Sequence, residues 1–342
     1  MQKQKRILIF ELNWLGDILF SFPFLRAIRK VFPEAYITCV VVPRYADLLV
    51  NNPWINDVHV LQDKNSIWSL GQKISFIKMI RREKYDTCFF LKPSRIKTII
   101  ALCAGIKERI GFKGKDVPLT ETVELEKQGL HRADVFLALA GAAGMDEADG
   151  SYEYFLSEKN KEHAEELLHK EGGGTRRMVA VNPGGNWDAK RWPEENFREL
   201  VSRILKRFDD VEVVITGAKK DVHLANELAG AGENNRCYAV AGKTGLNELA
   251  DIFRRCELVI SADSGPLHLA SAVGATTIGL FGPTSSVITG PRGKGKNIVI
   301  HKDCSCGIPC YKEDCDKDFV CMRAISVDEV FDEVCGILNT SG

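Results

Sequence analysis

The chain of 342 residues lacks an excess of either charge: 46 Lys and Arg balance 46 Asp and Glu. A protein that coats nucleic acid needs a basic surplus, so that class is set aside. It also lacks any run approaching the ~18 apolar residues of a membrane span. The opening MQKQKRILIFELNWLGDILF has the basic start and apolar stretch of a secretory leader. Glu11, Asn13 and Asp17 interrupt it, however, and no small-residue cleavage site follows. It reads as a strand entering a helix, and the chain as a soluble cytoplasmic protein. No GxGxxG follows the first strand, which leaves a nicotinamide-dependent oxidoreductase poorly supported. Two near-matches to a phosphate-binding loop fail: AGKTG (241–245) has Cys237 where a glycine is required, and GPRGKGKN (290–297) ends in Asn297 instead of a metal-binding Ser or Thr. Paired CxxC spacing and a carboxylate cluster are also missing.

What is present is an alternation. Apolar strands at 6–12, 36–42, 57–61, 86–91 and 109–112 are separated by helices around 17–31, 66–83 and 95–104, with a further helix over 131–144. The charged stretch EKNKEHAEELLHKEGGGTRR (158–177) breaks this pattern. It then restarts with strands at 178–182, 211–216, 236–240, 257–261 and 276–281 and helices near 193–208, 219–230, 246–255, 266–273 and 326–338. Alternation of this kind implies parallel sheets covered on both faces. The length exceeds one ordinary core. The expected fold class is therefore α/β, with two doubly wound, Rossmann-like domains. They span 1–157 and 178–325, joined by a linker helix and loop (158–177) and closed by a C-terminal helix (326–342). Ligands of such sheets bind beyond the carboxyl ends of the strands.

Those ends carry chemistry. The strand before SADSGPLHLASAVGATTIGLFGPT (261–284) runs into Asp263-Ser264-Gly265-Pro266, where a helix opens with His268 in its first turn. The next strand ends in Gly282-Pro283-Thr284. Unpaired N–H groups at such turns suit a diphosphate. Asp263 repels phosphate and fits a sugar hydroxyl better; alternatively it caps the helix while His268 packs inside. NPGGNWDAKRWP (182–193) adds a glycine turn including Gly184 and the cations Lys190 and Arg191, unless its tryptophans simply pack the loop. In the first half, Asp17 begins a helix, either as a dipole-stabilising acid or as a general base.

Together these stretches resemble glycosyltransferase family 9, the ADP-heptose:lipopolysaccharide heptosyltransferases. The matching stretches are NWLGDILFSFPFLRAIRK, ALCAGIKERIGF, NPGGNWDAKRWPEENF, VVITGAKKD and the run 241–284, in the family's order. The resemblance implies a GT-B fold and a C-terminal helix crossing back to the first domain. It also implies inverting transfer without a catalytic metal. By resemblance Asp17 is the base, Lys190 contacts donor phosphate, and Asp263, Ser264, Gly265 and His268 form the donor turn. Asp221 stands where the family has a ribose-binding glutamate. The acceptor would be the lipopolysaccharide inner core, with Lys92, Arg95, Lys97 and Arg109 as candidate contacts to its acid groups, or else as solvated loop cations. Basic residues in RAIRK and KMIRR would assist peripheral contact with the inner face of the inner membrane.

Cys304, Cys306, Cys310, Cys315 and Cys321 cluster in one loop. A structural zinc or iron site, reduced thiols packing the loop, and a disulfide all stand as readings, the last disfavoured in a reducing compartment. Two other functional readings compete with the heptosyltransferase. One is a family member with another nucleotide sugar or acceptor. The other is an inactive nucleotide-sugar or metal-binding module.

Overall fold

The computed structural model describes residues 4–62, 68–125, 129–145, 149–174, 176–230, 235–304, 306–310 and 315–340. Residues 66 and 67, the expected opening of the second helix, lie outside them. The chain divides into two compact units, Met1–Phe155 and Leu156–Gly342.

The first unit runs β1 (Arg6–Phe10), α1 (Leu15–Val31), β2 (Tyr36–Val41), a 3-10 turn (Pro43–Leu48), β3 (Asp57–Val60), α2 (Trp68–Glu83), β4 (Thr87–Phe90), α3 (Arg95–Cys103), β5 (Glu108–Phe112), β6 (Glu121–Val123) and α4 (Arg132–Gly141). Its sheet has the order β3-β2-β1-β4-β5-β6, every pair parallel. The second unit runs α5 (Glu158–Lys170), β7 (Arg177–Asn182), α6 (Glu194–Arg207), β8 (Val211–Ile215), α7 (Val222–Gly230), β9 (Cys237–Ala239), α8 (Leu246–Arg255), β10 (Leu258–Ala262), α9 (Gly265–Ala272), β11 (Thr277–Phe281), α10 (Ser286–Thr289), β12 (Asn297–His301), α11 (Val320–Arg323) and α12 (Val327–Leu338). Its order, β12-β11-β10-β7-β8-β9, is the same winding, again all parallel. Each sheet therefore reverses direction once, between β1 and β4 and between β7 and β10. A reversal leaves an open crevice at the strands' carboxyl ends.

The strands form where β-branched and aliphatic residues run nearly without interruption, because both faces of a parallel sheet are covered. β4, β8, β10 and β11 are buried throughout. Amphipathic helices such as α6 cover them with one apolar stripe, whereas α1 and α9 are buried over consecutive residues. In α6 that stripe is Phe197, Leu200, Val201, Ile204 and Leu205, the spacing of a single helical face. The last helix, α12, buries Val327, Val330, Val334, Ile337 and Leu338 within the core of the second unit. Two strands exceed the sequence expectation. The three residues of β6 are short and largely exposed, so they carry no apolar signal. β12 follows a glycine-rich loop that masks its start. There Asn297 accepts from Ser271 and Thr277 through Oδ1 and donates to the carbonyls of Gly293 and Gly295. It holds the turn together as an edge-strand fastening.

Among the described residues no helix is long and apolar enough to cross a membrane.

Candidate functional site

In the second unit the residues singled out from sequence converge on the reversal between β7 and β10. Asn182 ends β7 and stitches three strand ends together. Its Nδ2 donates to Gly184 O (3.2 Å) and to Ser261 Oγ (3.3 Å), while Thr216 Oγ1 donates to its Oδ1 (3.1 Å). The chain then turns through Gly184 and Gly185 into a single 3-10 turn, Asp188–Lys190. Trp192 pins that turn. It is almost wholly buried, meets Phe197 edge-on at 5.0 Å, and donates its indole N–H to Ile325 O at 2.9 Å. Burying an aromatic of this size is worth about 3 kcal/mol, enough to fix the position of Lys190 and Arg191 just before it.

Lys190 reaches Asp263, just past the end of β10, with Nζ 2.7 Å from Oδ2. The other carboxylate oxygen lies 3.3 Å from His268 Nε2, from the first turn of α9. Asp263 and His268 are both buried. Burial alone would raise the Asp263 pKa, but the His268 hydrogen bond and the Lys190 charge outweigh it and hold the carboxyl well below its ordinary range. Asp263 is thus an ionised carboxylate in a nearly dry setting. It does not cap α9: the N-cap is Ser264, with extended backbone and its Oγ 3.1 Å from Ser261 Oγ. Gly265 and Pro266 open α9 at the positive end of the helix.

Two further turns border this arrangement. Asp221, buried at the end of the 3-10 turn Lys219–Asp221, accepts from Ala218 N at 3.0 Å. Its Oδ1 lies 3.8 Å from Arg191 Nη2, which also donates to Gly185 O at 2.8 Å. A Cβ on Gly184 would sit 2.5 Å from Asp221 Oδ2, so only glycine leaves room there. After β11, Gly282, Pro283 and Thr284 are all buried. Thr284 Oγ1 has no hydrogen-bond partner among the described residues, an expensive state for a buried hydroxyl unless a ligand supplies one. The indole N–H of Trp187 is in the same condition, and its ring lies 5.5 Å from Lys190 Nζ. Sequence reading treated Trp187 only as packing; nothing in the residue string marks its nitrogen as open.

The cysteine loop meets this site from behind. Cys310 N donates to Pro283 O at 2.7 Å, and a Cβ on Gly282 would come within 2.5 Å of Met322 Sδ and 3.1 Å of Cys321 Sγ. Cys304 donates to Val320 O, Lys317 donates to Cys306, and Phe319 N donates to Cys315. All eleven cysteines are free. Among the described residues no three His, Cys, Asp or Glu side chains converge in a way that could hold a metal ion. The described residues thus lend the zinc or iron reading no support, and Cys310 and Cys321 pack behind Pro283 and Gly282.

In the first unit the reversal between β1 and β4 gathers Asp17, Lys92, Arg95 and Lys97. Asp17 stands half-buried in the first turn of α1. Lys97, in the first turn of α3, donates through Nζ to Glu11 O at 3.0 Å and so ties the two crossing segments. Lys92 and Arg95 are exposed beside it. Arg109 is not brought to this end. It sits near the amino end of β5, and its guanidinium donates to the carbonyls of Pro118, Ile106 and Lys107. Arg26 and Arg29 of the RAIRK stretch are likewise committed to internal carbonyls, those of Asp149 and Ser151 and of Trp54, Pro33 and Ala35. These hydrogen bonds orient the two side chains and do not bear on the expected membrane contact.

Sequence reading passed over Glu11. It follows β1, is fully buried, and accepts from Ser21 Oγ at 3.0 Å and from Cys39 Sγ at 3.9 Å. Burial pushes its carboxyl up to about 7; Ser21, the Leu12 backbone and Lys97 offset this only in part.

Comparison with known proteins agrees with this picture. The model of glycosyltransferase family 9 (heptosyltransferase) matches residues 73–319. Lipopolysaccharide heptosyltransferase 2 of Escherichia coli is 26% identical over 308 residues, covering 86% of this chain and 87% of the relative. Among solved structures, a glycosyltransferase family 9 protein from Veillonella parvula superposes with a TM-score of 0.85 at 24% identity, covering 99% of each chain. The E. coli ADP-heptose lipopolysaccharide heptosyltransferase II superposes with a TM-score of 0.80, also at 24% identity, over 98% of this chain and 99% of that one. The two doubly wound units are thus those of a GT-B enzyme, and the chain belongs to glycosyltransferase family 9.

Proposed function

We propose that this chain transfers heptose from ADP-heptose to the inner core of lipopolysaccharide, adding the second heptose with inversion at the anomeric carbon and without a catalytic metal. The second unit is the donor side and the first the acceptor side. The reading is carried by the Lys190–Asp263–His268 line at the β7/β10 reversal. A lysine ammonium has three donors; one engages Asp263, which leaves others for the diphosphate. Asp263, kept ionised, accepts from hydroxyls of the transferred sugar. Asp221 serves the ribose, with Arg191 holding its carboxylate. The backbone at Ser264 and Gly265 and the turn Gly282-Pro283-Thr284 take up charge growing on the leaving ADP, with the open Thr284 hydroxyl as one donor. Fixed donors of this kind are commonly the largest single contribution to catalysis.

Asp17 removes the proton of the attacking hydroxyl. Lys92, Arg95 and Lys97 bind acid groups of the acceptor. The relatives' names support donor and acceptor class, and the acceptor's lipid anchor implies a place at the cytoplasmic membrane face.

The test is ADP release from purified protein given ADP-heptose and heptose-deficient cores, with no-heptose and one-heptose acceptors side by side. Release confined to the one-heptose core supports the second transfer; release confined to the no-heptose core assigns the first; release with neither overturns the reading.

A further inference from the structure

We propose that Trp14, Arg44 and Tyr45 form a platform for an anionic saccharide in the first unit, and that this platform selects the acceptor. The inference rests on the reading that the first unit takes the acceptor. Trp14 occupies the N-cap of α1 and is 55% exposed. Neither fact has a structural reason. A tryptophan makes no side-chain cap here, where Ser, Asp or Asn would stabilise the helix, and a large indole left in water gains nothing for the core. What it does meet is Arg44, from the 3-10 turn after β2. The guanidinium lies 5.3 Å from the Trp14 ring and 4.8 Å from the Tyr45 ring. Its Nη2 donates to Asn13 O at 2.8 Å, which locks the loop after β1 to the loop after β2.

The position matters as much as the contacts. β1 and β2 are parallel neighbours, so both loops lie at the carboxyl end of the sheet. The Trp14 carbonyl accepts the first helical bond from Ile18 N at 3.0 Å, so the indole is carried on the same helix start as Asp17, three residues on. The result is an exposed aromatic face and an exposed cation, rigidly joined, beside the proposed base.

The chemistry fits a charged sugar. The electron-rich ring face attracts the polarised C–H edge of a pyranose. The planar fork of Arg44 suits a carboxylate or phosphate on that sugar or its neighbour, and cation–π contact with both rings keeps the fork in place before the ligand arrives. An uncharged sugar would use only half of this surface.

The experiment uses the full chain with a delipidated one-heptose core oligosaccharide, in native and dephosphorylated forms. Turnover with ADP-heptose and direct binding by titration calorimetry are both measured for Trp14→Ala, Trp14→Phe, Arg44→Ala and Arg44→Lys. Stacking of a nucleobase on an aromatic side chain is worth roughly tenfold or more on truncation, and the lower end of that range is taken for a sugar. Trp14→Ala is expected to raise acceptor KM and Kd about tenfold, with ADP-heptose Kd at the wild-type value and Trp14→Phe recovering most of the loss. Arg44→Ala should weaken acceptor binding similarly and Arg44→Lys only partly restore it. If the Arg44→Ala effect vanishes with the dephosphorylated core, its partner is phosphate; if it persists, a carboxylate. Wild-type acceptor affinity in Trp14→Ala overturns the platform and leaves the transfer reading intact. Absence of turnover in the wild type overturns the transfer reading alone, because the binding arm still decides: affinity lost on truncating Trp14 supports the platform, and equal or absent binding sinks it.

Discussion

Replacing Glu11 with glutamine isolates the energetic consequence of burying a carboxyl beneath α1. The group titrates near 7 instead of 4.5 because it is wholly buried. At about 1.4 kcal/mol per tenfold change in proton affinity, that displacement corresponds to about 3 kcal/mol. The sign follows from which state ionises first. Below pH 4.5 both folded and unfolded chains hold the proton and nothing is lost. Between 4.5 and 7 the unfolded chain releases it and the folded chain does not, so stability falls as pH rises; above 7 the deficit is constant. Glutamine has no such slope. Part of the gain is lost because the new amide N–H₂ must find an acceptor where Cys39 and Ser21 now donate, which leaves roughly 2 kcal/mol of stabilisation at pH 8. For a unit of this size that is about 5 °C in melting temperature. Differential scanning calorimetry from pH 4 to 8 measures the difference. The Glu11→Gln advantage should be near zero or reversed at pH 4 and should grow through pH 7. Parallel wild-type and variant profiles across that range would refute the argument.

The other predictions concern the proposed chemistry. Asp17→Ala should lower kcat by about 10²- to 10⁴-fold, the usual worth of a general base, with ADP-heptose affinity nearly unchanged; steady-state kinetics and calorimetry together decide. Lys190→Ala should weaken donor binding roughly 10- to 100-fold, since hydrogen bonds to charged groups are worth about 1.5–3 kcal/mol, and ADP titration reads this directly. The same change removes the ammonium 2.7 Å from Asp263, so the carboxyl should titrate higher than in the wild type. Gly184→Ala places a methyl 2.5 Å from Asp221 Oδ2. It should cost donor affinity by displacing Asp221 while circular dichroism and acceptor binding stay at wild-type values.

Much of this architecture can be read from residue order, and the gaps have physical causes. Central strands such as ILIF and VVI announce themselves because both faces are buried, whereas ETV at the sheet edge packs too little to leave a pattern. Lys190 and Asp263 were legible because a strand end, a glycine turn and a charge coincide. Their pairing was not, since 73 residues separate them and only the β7–β10 register brings them together. Glu11 was missed for the opposite reason. An acid at the end of an apolar strand looks like an interruption, and only burial reveals its raised pKa. The carbonyl partners of Arg26 and Arg29 were not legible, because carbonyls carry no signature in a sequence. Arg26 reaches one 123 residues away.

The fastenings behind the proposed donor turns have a consequence for biosynthesis. Trp192 is held by Ile325 O and Pro283 by Cys310 N, and both partners come later in the chain than every residue placed at the β7/β10 reversal. A nascent chain that has emerged only through β12 already contains Lys190, Asp221, Asp263 and Thr284, yet the turns that present Lys190 and Thr284 are unbraced. Affinity for the proposed donor should therefore arise abruptly, late in translation, when Cys310, Met322 and Ile325 reach their places. Until then the half-made enzyme would not sequester a costly activated sugar.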